Sequence, residues 1–183
     1  MDLESSIAVA IVVVVAAIAG LSDVRTFKVP NRLTLPLAVT GVAYHTIAGG
    51  LAGLQLSLLG ALFGFGVLFG LYVLGAIGAG DVKLMAGVGA WLGVSTSIYV
   101  FAVAAAGTAL YSIIVLLRRG NLSQAFTTIQ ITLMQLQTIG KHLGADERVE
   151  SIVHRKDRRK RLVPFAAMVA LGAIVVAVWK QVP

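Results

Sequence analysis

From Leu33 to Gly80 the chain carries no Asp, Glu, Lys or Arg. Such a run cannot be one helix of ordinary length, and no soluble core of a small domain could bury it. It suits two crossings of a bilayer, each needing about 20 apolar residues. The break falls best at 45–55, where Gly49, Gly50 and Gly53 cluster. Ser5 to Ser22 and Leu84 to Leu117 are also free of charge. Composition agrees. Of 183 residues, 58% are hydrophobic and 13% charged, against about 45–50% and about 25% in soluble domains.

The chain therefore reads as an all-α polytopic membrane protein, a single domain over 1–183 with about six transmembrane helices. The expected spans are about 5–22, 33–48, 56–76, 84–95, 97–117 and 162–179. A loop over about 118–161 separates the last two, and Leu122, Phe126, Ile129, Leu133, Leu136 and Ile139 give it an amphipathic helix on the membrane surface.

Six spans put Arg25, Lys28, Arg32, Lys83, Arg118, Arg119 and the run Arg155–Arg161 on one side. The positive-inside rule makes that side cytoplasmic. Asp2 and Glu4 then face outward. An acidic flank argues for a retained first helix with the N-terminus outside, not for a signal peptide. The net charge of +7 is read as topology and as attraction to anionic lipid, not as affinity for nucleic acid. Trp91 and Trp179 read as anchors at the membrane interface.

The sequence has no Cys, which excludes disulfides, thiol catalysis and thiolate zinc sites. His45, His142 and His154 show no metal-ligand spacing. Asp23 and Asp81 stand out, since an ionisable group at the edge of the hydrocarbon is costly and marks a candidate site. The topology puts both on the cytoplasmic side. Two carboxylates brought together do not both ionise freely, so one serves as acid and the other as base. An ionised Asp then activates water while a protonated one polarises a carbonyl. The plain alternative for a single Asp at a helix end is a solvated cap or a partner for a nearby Arg, and Arg25 and Lys28 could neutralise Asp23. Gly78 and Gly80 remove side chains next to Asp81, where a substrate backbone would approach. Pro30 suits a helix start. Gly60-x-x-x-Gly64 and Gly66-x-x-x-Gly70 permit close helix packing, within the chain or between copies.

Gly78-Ala79-Gly80-Asp81-Val82-Lys83 resembles the Gly-x-Gly-Asp-x-Lys signature of the type IV prepilin peptidases, the GxGD aspartic proteases. Asp23 followed by Val29-Pro30-Asn31-Arg32-Leu33-Thr34 resembles their first motif. Val163-Pro164-Phe165-Ala166-Ala167, continuing to Gly172, is similar to their final-helix motif, with Ala166-Ala167 in place of the usual Gly-Pro. The resemblance implies that Asp23 and Asp81 are the catalytic pair. Gly78 and Gly80 would shape the turn that presents Asp81, and Pro30, Asn31 and Lys83 occupy motif positions. It implies a prepilin substrate, with a basic leader, a Gly before the scissile bond and then a hydrophobic helix, and it implies no metal or organic cofactor. Lacking Cys, the chain looks like a short, peptidase-only form similar to the Flp (tight adherence) prepilin peptidases, without N-methylation. A presenilin-like protease fits the Pro-Asn-x-Leu-Thr motif less well. A carrier that uses the two aspartates for protons or cations is the rival class, though no inverted repeat marks one.

Overall fold

A computed structural model describes residues 3–26, 29–73, 77–119 and 165–181. Among them are four helices: α1 (Leu3–Thr26), α2 (Asn31–Val73), α3 (Ala79–Arg119) and α4 (Phe165–Gln181). The segments Ser6–Thr26, Asn31–Val73 and Ala79–Val115 are each long and apolar enough to cross a membrane. The surface helix expected within 118–161, the basic run Arg155–Arg161 and Pro164 lie outside the described residues.

Both α2 and α3 break at a glycine. Gly50 has φ 57° and Gly93 φ 67°, a left-handed backbone that residues with a Cβ rarely adopt. At Gly50 the chain turns back on itself. A Cβ on Gly53 would strike the His45 carbonyl, although eight residues of unbroken helix would separate these positions by about 12 Å. Both arms of α2 then pack on the first arm of α3. On the ascending arm, Trp91 Nε1 donates to the Leu37 carbonyl at 2.8 Å. On the returning arm, Ser57 Oγ donates to the Ala90 carbonyl at 2.8 Å.

Beyond Gly93, α3 also reverses and runs antiparallel to α4. Tyr99 packs against Trp179 with ring centroids 5.4 Å apart, whereas Gly107 lies against Met168, nearer the start of α4. The start of α4 in turn meets the end of α1, where a Cβ on Gly20 would sit 2.8 Å from the Ala167 Cα. Small residues at 166 and 167 therefore match a site of backbone contact. The ends of α1 and α3 and the starts of α2, α3 and α4 gather at one end of the bundle.

The buried residues of α1 include Ala8, Val9, Val12, Ala16, Ala19, Gly20 and Asp23, one stripe at helical period. On α3 they include Asp81, Leu84, Met85, Val88 and Trp91. The opposite faces are apolar too. Leu62 is 71% exposed and Leu117 69% exposed. Apolar side chains around the outside of an apolar core are what a lipid-facing bundle requires.

Trp91 departs from the interface-anchor expectation. It is 5% exposed, stacks on Tyr44 at a centroid distance of 5.2 Å, and gives its indole proton to α2. A buried indole that finds an acceptor contributes more as core than as an anchor.

Candidate active site

Each aspartate ends a buried stripe. Asp23 lies in the last turn of α1 and is 7% exposed; Asp81 lies in the first turn of α3 and is 9% exposed. In a purely structural stripe both positions would be apolar, because burying a carboxylate is costly. The end of α1 and the start of α3 lie at the same end of the bundle, so both aspartates stand there although they are far apart in sequence.

Their anchoring follows from helix-terminus chemistry. The Gly78 carbonyl accepts the Asp81 N–H at 3.1 Å. Oδ2 of Asp81 accepts the Gly78 N–H at 3.2 Å. The second bond is the acidic half of a capping box, the carboxylate three residues on reaching back to the Gly78 N–H, while the first is a backbone turn bond. It extends α3 back to Ala79, ahead of the charge-free run that starts at Leu84. Asp23 stands at the C-terminus of its own helix, where the dipole disfavours an anion. Its compensation comes from another helix: Oδ2 accepts the Ala166 N–H at 3.2 Å, at the positive end of α4. Thus one oxygen of each carboxylate is held by backbone. The other oxygen of Asp81, Oδ1, is buried and has no hydrogen-bond partner among the described residues.

Around this pair the α2 and α3 termini fit closely. A Cβ on Gly80 would lie 2.9 Å from the Val29 Cβ and 3.0 Å from its carbonyl oxygen. Gly80 thus lets the chain entering α2 rest on the first turn of α3. Pro30 precedes α2 and its carbonyl accepts the Leu33 N–H at 3.0 Å. Lys83 Nζ donates to Asn31 Oδ1 at 3.0 Å, tying the two termini from outside. Gly78 lies next to Asp81, where an added Cβ would be 3.4 Å from Oδ2. Asp23, Asp81, Gly78, Gly80, Lys83, Pro30 and Asn31 therefore all belong to one end of the bundle. His45 bonds the Trp91 carbonyl at 2.9 Å, toward the opposite end of the first arm of α3.

Two further residues at this end of the bundle have no role that the sequence assigns. The Ala166 N–H acts through the backbone, which no residue type announces. Thr34 is 1% exposed and lies inside the first motif without an assigned role. No group of three or more His, Cys, Asp or Glu that could hold a metal occurs among the described residues.

The Lys83–Asn31 bond is exposed, so it contributes little to stability. Lys83→Met, which keeps the apolar stem, should lower stability by no more than about 1 kcal/mol, read as thermal unfolding in detergent. A larger loss would mean that the bond holds the site together.

A profile described as the type IV leader peptidase family matches residues 10–113, a range that contains both aspartates, Pro30, Asn31, Gly78, Gly80 and Lys83. A prepilin leader peptidase/N-methyltransferase of Escherichia coli (strain K12) is 35% identical over 99 residues, 50% of this chain and 44% of that protein. One from Neisseria gonorrhoeae is 39% identical over 80 residues, 40% of this chain and 28% of that protein. One from Aeromonas hydrophila is 38% identical over 78 residues, 39% of this chain and 27% of that protein. The chain thus spans less than half the length of these curated relatives. No solved structure matches it.

Proposed function

The chain belongs to the type IV leader peptidase family, and we propose on that premise that it is a membrane aspartic endopeptidase that removes the leader from type IV or Flp-like prepilins. The observation that carries the reading is the burial of Asp23 and Asp81 at helix ends on the same end of the bundle. The ionised member takes a proton from water, and the hydroxide attacks the scissile carbonyl. The protonated member gives its proton to the carbonyl oxygen. Collapse of the tetrahedral intermediate transfers a proton to the amide nitrogen and breaks the C–N bond. The products are a leader carboxylate and a pilin amine. The dyad supplies both acid and base, so the scheme involves no metal or organic cofactor.

With α2 and α3 each reversing at a glycine, the chain makes about six crossings of the inner (cytoplasmic) membrane. Arg25, Arg32, Lys83 and Arg118 lie toward the aspartate end of the bundle, which makes that end cytoplasmic. The N-terminus is then outside, and the basic residues contact anionic lipid. A cytoplasmic site matches a precursor whose basic leader stays inside while its hydrophobic helix crosses the bilayer. The small residue before the scissile bond suits the close backbone approach that Gly78 and Gly80 allow. The basic surface is not a nucleic-acid site.

The test is cleavage of a co-expressed Flp-type prepilin, read as a mobility shift. Wild type should produce the shift, and membrane-inserted Asp23→Asn and Asp81→Asn should not. A wild-type protein that leaves a panel of prepilins intact would sink the peptidase reading and turn attention to proton-coupled transport.

A further inference from the structure

Helical Thr and Ser side chains inside a membrane normally donate to the carbonyl four residues back. Thr26, Thr40, Thr46 and Ser112 do so, at 2.7–2.8 Å. Thr34 does not. Its Oγ1 is buried without a partner among the described residues. The local reason is visible, because the Pro30 carbonyl four residues back already accepts the N–H groups of Leu33 and Thr34. A buried hydroxyl without a bond is costly, so a residue kept only for packing would better be Val.

The position of Thr34 gives the hydroxyl a use. Thr34, Leu37 and Gly41 form the buried stripe of the first arm of α2. Leu37 packs on Gly87, and Gly41 on Ala90 and Trp91, so this stripe faces α3. Toward the helix starts, Val29 packs on Gly80 and Asn31 bonds Lys83. These contacts bracket Thr34 and put it opposite α3 about one turn, about 5.4 Å, above Asp81. Asp81 Oδ1 is the matching orphan, a buried acceptor with no donor. The other unpartnered hydroxyls, Ser97 and Thr108, lie on the far arm of α3, beyond Gly93.

We infer that Thr34 is a positioning residue for Asp81, its hydroxyl donating to Oδ1 when the starts of α2 and α3 tighten around a substrate. Hydrogen bonds of an active site are often open in the free enzyme and close in the complex. The closed bond would satisfy both buried atoms and fix the plane of the carboxyl, with Oδ2 already held by Gly78. This inference rests on the paired-aspartate reading above.

The experiment compares Thr34→Val and Thr34→Ser with wild type and Asp81→Asn in detergent-solubilised cleavage of one prepilin, with thermal unfolding in parallel. Thr34→Val keeps shape and removes the hydroxyl. It should lower kcat about 10- to 100-fold, leave KM unchanged, and leave the unfolding temperature unchanged or higher. Thr34→Ser should stay within about threefold of wild type, because it keeps the donor. Wild-type kcat in Thr34→Val beside an inactive Asp81→Asn overturns the inference while the dyad stands. A loss in Thr34→Ser as large as in Thr34→Val overturns it too, since the hydroxyl is then not what matters. Wild-type cleavage by Asp81→Asn overturns the dyad and this inference together.

Discussion

Asp23→Asn and Asp81→Asn are each expected to slow prepilin cleavage by at least about 1,000-fold, and the double variant is expected to be no slower than either alone. General acid–base groups typically contribute about 100- to 10,000-fold. In a dyad one carboxyl must hold the proton that the other lacks, so removing either removes the whole device. Residues that act as a unit show this non-additivity. The fold should survive the change. An Asn oxygen can still accept the Gly78 N–H at position 81 or the Ala166 N–H at position 23. With one proton already shared, either variant leaves one ionised carboxylate, so the buried charge is unchanged. The expected pattern is therefore loss of activity with an unfolding temperature close to that of wild type. Purified variants in detergent, assayed for initial cleavage rate and thermal unfolding, give both readings. If the double variant is slower than each single variant by the product of their effects, the carboxylates act independently, and the shared-proton mechanism is wrong.

How far this site could be read without coordinates differs from residue to residue. The two aspartates interrupt charge-poor sequence and sit in motifs, so they could be picked out directly. Their partners could not. Asp23 is held by the backbone of Ala166, and Asp81 by that of Gly78. Backbone donors have no letter in a sequence, although an acid three residues after Gly78 is a local capping pattern. Lys83 and Asn31 each occupy a motif, but only folding joins them. The turn at Gly50 falls within the glycine cluster at 49–53, whereas the turn at Gly93 has no such cluster to mark it. What remained hidden was that both arms of α2 return to the same arm of α3. A helix that is apolar all round gives no periodic signal for its buried face. That is why Trp91 reads as an interface anchor although its indole points inward to Leu37. The same loss of pattern makes the glycine pairs of the returning arm of α2 indistinguishable in sequence, although their surroundings are opposite.

Gly60→Ala and Gly66→Ala should for that reason change stability in opposite directions. A Cβ on Gly60 would fall onto the Gly89 carbonyl, and one on Gly89 onto the Gly60 carbonyl. Neither obstacle is a side chain that can rotate away. The helices must separate, and the loss spreads along α2 and α3 to Gly64, where an added Cβ would strike the Met85 carbonyl. Overpacking of a tight core costs about 1–3 kcal/mol, and a backbone obstacle puts Gly60→Ala near about 3 kcal/mol. Gly66 has nothing within 4 Å of an added Cβ and lies within α2, away from the break at Gly50. There Ala only reduces backbone freedom in the unfolded chain and gains up to about 1 kcal/mol. Unfolding of both variants in the same detergent measures the difference. Two equal losses would mean that the returning arm is rotated about its axis, with Gly66 rather than Gly60 against α3. Such a rotation would also swing Ser57 away from Ala90, so Ser57→Ala should then be neutral. With the packing described here, Ser57→Ala removes a buried hydrogen bond and costs about 1 kcal/mol.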